Sequence, residues 1–155
     1  MIIKIIGTES LGVRGLACSV ALKNRKIFID PGIALGLYRY GLLPHPFQVA
    51  VGRNIIDTII EELKSATDVV FSHFDGDHCP LERPNPYQLG AYRVAPALAD
   101  CRIWAKKPEG ASPKQQMRRN DLARIMGRNL RDADGIADGP LSFSSPVSRR
   151  SASTS

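Results

Sequence analysis

The apolar run Val69-Val70-Phe71 leads straight into Ser72-His73-Phe74-Asp75-Gly76-Asp77-His78. Four potential metal ligands, two of the chain's three histidines among them, fall within six residues. A buried strand giving way to a glycine-containing turn lets side chains at 73, 75, 77 and 78 converge above the end of a sheet. Imidazole together with carboxylate is the ligand set of zinc, manganese or iron. The competing reading is a solvated polar turn.

The flanking pattern alternates strand and helix signals. Residues 2–6, 17–22 and 26–29 read as three strands, separated by the glycine-punctuated loop 7–15 and the turn Lys23-Asn24-Arg25. Short strands joined by tight turns predict an antiparallel meander, stopped by Asp30-Pro31-Gly32. Over residues 54–66, Ile55, Ile56, Ile59, Ile60 and Leu63 recur at helical spacing, while Asp57, Glu61, Glu62 and Lys64 take the other face. That periodicity predicts an amphipathic helix covering a sheet. Residues 68–71 supply the next strand, and the ligand cluster leaves its carboxyl end, where open α/β sheets place their sites.

Residues 102–105 predict one more short strand. Ser112-Pro113-Lys114-Gln115 has Ser as N-cap, Pro at the first helical position and Gln three residues past the cap, so a helix starts there. It runs to about Met126, with Gly127 as its C-cap. The fold class is therefore α/β. Residues 33–53 form a Gly- and Pro-rich loop that suits a substrate rim. Its His45, between Pro44 and Pro46, is expected to be an exposed loop residue rather than a ligand. Residues 79–100 are broken by prolines and are expected to cover the site.

At 155 residues the chain is one domain by size, and 43% hydrophobic content supports only a modest core. The net charge of +6 is carried unevenly, with arginines 118, 119, 124, 128, 131, 149 and 150 crowding the last quarter. No aromatic residues interleave with them as a single-strand binding surface requires. They read as a solvated basic face, and a nucleic-acid-binding module ranks third among the functions considered. Cys18, Cys79 and Cys101 lack CxxC spacing, which argues against a disulfide framework or a zinc ribbon. Cys18 reads as a core residue, and Cys79 as a minor candidate for a metal contact. No apolar run approaches the length of a membrane span, and the short apolar start lacks the core of a signal peptide. A cytoplasmic protein with no membrane partner is expected.

The string His73-Phe74-Asp75-Gly76-Asp77-His78 resembles the His-x-His-x-Asp-His signature of the metallo-β-lactamase-fold hydrolases. The run Gly7-Thr8-Glu9-Ser10-Leu11-Gly12-Val13-Arg14-Gly15, the segment Ile27-Phe28-Ile29-Asp30-Pro31-Gly32 and the later Asn85-Pro86-Tyr87-Gln88-Leu89 are similar to a mainly archaeal branch of that superfamily. The likeness covers roughly residues 1–126. It implies that His73 and Asp75 face a first metal, that Asp77 and His78 face a second, and that Asp30 orients the ligand loop by accepting its backbone N–H groups. From the residues alone, Asp30-Pro31-Gly32 is equally well a simple turn. Asp75 stands where the family has histidine, and a harder, shorter ligand moves the site from zinc toward manganese or iron. Zinc remains the expected cation, with those two as alternatives.

The resemblance further implies an αββα sandwich of two similar halves, of which residues 1–128 would form the N-terminal one. Residues 129–147 read as turns and a partial strand, and residues 148–155 as a disordered tail. The related branch continues from such a strand into a second half with further histidine ligands, whereas no histidine follows His78 here. A truncated or frameshifted product is expected, with a natural half-length protein as the alternative. The implied function is a metal-dependent hydrolase of weak or no activity alone, acting on an unspecified small molecule or ester. The alternative is a non-catalytic metal- or ligand-binding remnant. An inner sheet face built from residues such as Ile3, Ile5, Val20, Ile27 and Ile29 would stay partly open, so self-association is expected.

Overall fold

Three short strands with β-branched residues pair as the turn signals require. In the computed structural model, which describes residues 1–127 and 130–132, β1 (Ile2–Gly7), β2 (Ala17–Ala21) and β3 (Lys26–Ile29) form an antiparallel meander. The chain then crosses over through α1 (Pro46–Leu63) to β4 (Asp68–Phe71), which lies parallel to β3. A second crossover through α2 (Ala91–Leu98) leads to β5 (Arg102–Ala105), and a third through α3 (Pro113–Met126) leads to β6 (Arg131–Asp132), both parallel. The described strands make one mixed sheet in sequence order. This is the α/β class read from the sequence.

Register decides which side chains share a face. Ser19, Phe28, Val69 and Ile103 pair along one row and point to the helices. Phe28, Val69, Phe71, Ile103 and Ala105 join Ile55, Ile56, Ile59 and Leu63 of α1, Val94 and Leu98 of α2 and Leu122 of α3 in a single buried cluster. Ile5, Cys18, Ile29, Val70 and Trp104 form the alternate row on the opposite face. No described helix lies in the cluster on that side, and Ile3 and Ile5 remain 57% and 50% exposed.

Two helices depart from the sequence reading. The first begins at Pro46, eight residues before the expected start at residue 54, because His45 caps it. The His45 Nδ1 accepts from the Phe47 N–H at 3.2 Å, and Pro46 occupies the first helical position. The expected loop 33–53 is therefore shorter, and His45 is an exposed N-cap. The second, α2, interrupts the expected irregular cover. It forms despite the internal Pro96 because Ala91, Val94 and Leu98 bury one face. The third helix has its predicted ends, with the Ser112 hydroxyl accepting from the Gln115 N–H and Gly127 left-handed at φ 61°.

Asp68 is buried on the open face at the edge of Trp104. Arg102 lies 2.9 Å from one of its oxygens, and Trp104 Nε1 and the Thr67 hydroxyl donate to it at 3.1 and 2.7 Å. Glu62 of α1 takes both Lys4 and Lys26, pinning the helix across β1 and β3. No described helix is long and apolar enough to cross a membrane. The expected late strand around 141–147 and the tail 148–155 lie outside the described residues.

Candidate metal centre

The ends of β3 and β4 are neighbours, so Asp30, one residue past β3, meets the loop that leaves β4. The Asp30 N–H donates to the Val70 carbonyl at 2.9 Å. Its carboxylate, 5% exposed, then turns back over the loop from a left-handed backbone at φ 48°. One carboxylate oxygen accepts the Ser72 N–H at 2.7 Å; the other accepts the Ser72 hydroxyl and lies 3.1 Å from His78 Nδ1. The Ser72 Oγ is in turn 2.9 Å from His73 Nδ1.

With both rings neutral, one placement of the protons satisfies these contacts. The Ser72 hydroxyl donates to Asp30, so its oxygen accepts from His73 Nδ1–H, and His78 Nδ1–H donates to the same carboxylate. In that arrangement the neutral rings would be Nδ1–H tautomers, which would leave an Nε2 lone pair on each for a cation. The rings lie 4.0 Å apart, centroid to centroid, tilted by 43°. His73 and His78 sit in an irregular loop after β4, and ligand-capable atoms of Asp30, His73 and His78 all fall within 4.8 Å of one another.

The two remaining candidates sit at the margins. Asp75 Oδ2 is 3.6 Å from His73 Nε2, while its Oδ1 is 3.4 Å from Arg118 of α3. Asp77 pairs with Arg14 at 3.5 Å. Asp30, His73 and His78 converge, with Asp75 beside His73 and Asp77 turned to Arg14. A separation of 3.6 Å still suits a shared cation, because ligand atoms about 2.1 Å from one ion span that gap at roughly 120°, near the tetrahedral angle. The donor set of imidazole and carboxylate fits a borderline divalent metal.

Close backbone approach shapes the loop. A Cβ on Gly32 would lie 2.3 Å from the His78 carbonyl carbon, and one on Gly15, at φ 112°, would lie 2.2 Å from the Asp77 oxygen. Arg118, only 15% exposed, donates to the Phe74 carbonyl at 3.0 Å. This arginine belongs to the tract that reads as a solvated basic face, and the structure corrects that reading at this position. Cys79 is buried behind His78. Burial, with Asp75, Asp30 and Asp77 adding to it against Arg118, pushes its thiol up to about 12. It packs as a small apolar side chain. Arg14, Ser72 and Arg118 were not singled out as site residues from the sequence; only the string around Ser72 pointed near them.

Several archaeal proteins named UPF0282 are similar to this chain. One from Methanosarcina mazei is 45% identical over 147 residues, which are 95% of this chain and 48% of that protein. One from Pyrococcus furiosus is 32% identical over 134 residues, 85% of this chain and 41% of that protein. One from Methanocaldococcus jannaschii is 40% identical over 73 residues, 47% of this chain and 25% of that protein. The homologues are thus archaeal UPF0282 proteins, and the chain spans about half their length at most. Their names specify neither a fold superfamily nor a reaction. No protein-family model matches the chain, and no solved structure does.

Proposed function

We propose that this chain carries a metal-ligand loop of a metal-dependent hydrolase, resembling the metallo-β-lactamase-fold enzymes in its His-x-Asp-x-Asp-His string. The observation that supports it is the Asp30–Ser72 network, in which the Ser72 Oγ lies 2.9 Å from His73 Nδ1 and Asp30 lies 3.1 Å from His78 Nδ1. A buried carboxylate that accepts Nδ1–H from an imidazole is the usual device for aiming a ligating histidine and raising its basicity. His73 and His78 would hold the cation, with Asp75 and Asp77 as the adjoining carboxylates. A divalent metal there supplies a water acidified toward neutral pH and a Lewis acid for the substrate oxygen. Catalytic zinc takes three protein ligands and keeps a position open. The two imidazoles supply two, and both neighbouring carboxylates are engaged by guanidinium groups, so weak binding is the expected behaviour.

A second reading, a metal- or ligand-binding protein without catalysis, is favoured by one specific observation. Both loop carboxylates outside the network are engaged by guanidinium groups, Asp75 by Arg118 and Asp77 by Arg14. Zinc titration of the purified chain against a competing chelator separates the readings. Nearly two ions per chain support the hydrolase reading, and none supports the second. His78→Ala should weaken binding by about tenfold or more, and Asp75→His should strengthen it by a similar factor by restoring imidazole. Unchanged affinity in both variants reduces the cluster to a polar turn.

A further inference from the structure

A cleft of about 520 Å³ opens between the 9–14 loop, the 35–43 loop and the first turn of α1. Small-molecule sites span roughly 300 to 1,000 Å³, so this open cleft is large enough to take a ligand. Two arginines, Arg14 and Arg39, and one acidic residue, Glu9, line it. The Arg39 side chain lies over Gly36, with Cγ and Nε 3.4 and 3.5 Å from where a Cβ would sit. Among the described residues, no carboxylate pairs with that guanidinium.

The loop that presents Arg39 is built in an unusual way. Arg39 and Leu42 exchange backbone hydrogen bonds of 3.0 and 2.9 Å, closing a two-residue turn. Both central residues are left-handed, Tyr40 at φ 53° and Gly41 at φ 78°. Such a turn favours asparagine or glycine at its first central position. A tyrosine there is unfavourable locally, and strain of this kind concentrates at ligand-handling segments. The Tyr40 ring is fully exposed, and Leu42 and Leu43 beside it are exposed as well. The amino end of α1 forms another wall through His45 and Gln48. Its partial positive charge adds to that of the arginines.

We propose that this cleft binds an amphiphilic anion, a carboxylate or phosphate joined to an apolar or aromatic body. The charged group sits at Arg39 and Arg14, opposite the amino end of α1, and the body lies against Leu42, Leu43 and the Tyr40 ring. A guanidinium fork matches the planar edge of a carboxylate or the oxygens of a phosphate; Glu9 lines the cleft against it, and Asp77 shares the Arg14 guanidinium. The inference goes beyond the metal reading and holds with or without a cation on the ligand loop. Arg14 joins the two regions, because the same guanidinium pairs with Asp77.

Amide NMR of the full chain in the presence of EDTA tests it, with phenyl phosphate as the probe and phenol and inorganic phosphate as controls. Phenyl phosphate should shift amides near residues 12–14, 36–43 and 47–48 saturably, and each control should bind at least about tenfold more weakly. Arg39→Met, on an exposed loop, should weaken phenyl phosphate binding by about tenfold. Where self-association broadens the spectra, equilibrium dialysis of the same compounds against wild type and Arg39→Met reads the same ratios. The proposal is overturned by absent saturation, by shifts confined to residues 73–78, by unchanged affinity in Arg39→Met, or by either control binding as tightly as phenyl phosphate. Because EDTA removes free metal, failure here leaves the metal reading untouched, and failure of zinc titration leaves this one untouched.

Discussion

Gly32 shows how narrowly the ligand loop is held. Its Cα approaches the backbone between His78 and Cys79 so closely that a Cβ would lie within 2.4 Å of two backbone atoms, which no rotamer change relieves. Gly32→Ala should therefore push the loop away from Asp30, costing about 1–3 kcal/mol as overpacking does and weakening zinc binding with it. Gly12→Ala is the control. Gly12 is left-handed at φ 83°, but nothing lies within 4 Å of its Cβ position. It should cost about 1 kcal/mol of backbone strain without touching zinc affinity. Urea unfolding and zinc titration on both variants check this, and equal zinc affinity in the two contradicts the close-approach account. The ligand string itself was legible because imidazole and carboxylate crowd together in the chain. Ser72 and Arg118 were not. A serine or an arginine carries no periodicity or spacing that marks its partner, and here those partners are Asp30, 42 residues away, and Phe74, 44 residues away.

The elements were legible where one face is apolar or a capped proline marks the start, as in α3, and illegible where prolines flank the cap or sit inside the helix. Residues 55–63 announce α1 by spacing, yet Pro44 and Pro46 conceal its first two turns. The second of those prolines in fact starts the helix, with His45 as the cap. In α2, Pro96 hides a helix whose Ala91, Val94 and Leu98 are buried. Asp68 illustrates what a strand position can conceal. Burial alone would push its carboxyl up, but hydrogen bonds from Thr67, Trp104 and Arg102 outweigh it and hold the group below the usual carboxylate range. A carboxyl depressed on folding contributes stability above its unfolded pKa of about 3.9, and that stability is lost as pH falls through the lower folded value. Glu62 shifts the same way through Lys26 and Lys4. Asp68→Asn should cost about 1–3 kcal/mol at pH 7, since it leaves Arg102 without its charge partner. Acidification from pH 7 to 3 should then destabilise the variant less than the wild type. Urea unfolding at both pH values measures this, and parallel losses would assign the acid sensitivity to other groups.

At the scale of the whole molecule, the described helices cover one face of the sheet, and on the other face, among the described residues, Cys18 and Asp68 are buried while Ile3 and Ile5 are half-exposed. The open face carries Ile3, Ile5, Val20, Ile27, Ile29 and Val70, with the single tryptophan, Trp104, at its far side. Apolar area is worth roughly 25 cal/mol per Å² when removed from water, so a few hundred Å² left bare amounts to several kcal/mol. That is comparable to the net stability of a small domain, roughly 5–15 kcal/mol. Contiguous apolar patches of this size act as association surfaces. We therefore expect the isolated chain to self-associate through this face. Sedimentation should show a concentration-dependent increase in mass, and Trp104 emission should move to shorter wavelength as the face is covered. Ile3→Lys and Ile5→Lys replace half-exposed side chains at the edge of the sheet, so they should restore the monomer at little cost in folding stability. A compact wild-type monomer at tens of micromolar, melting cooperatively, would show that the face is tolerated in water and defeat the expectation.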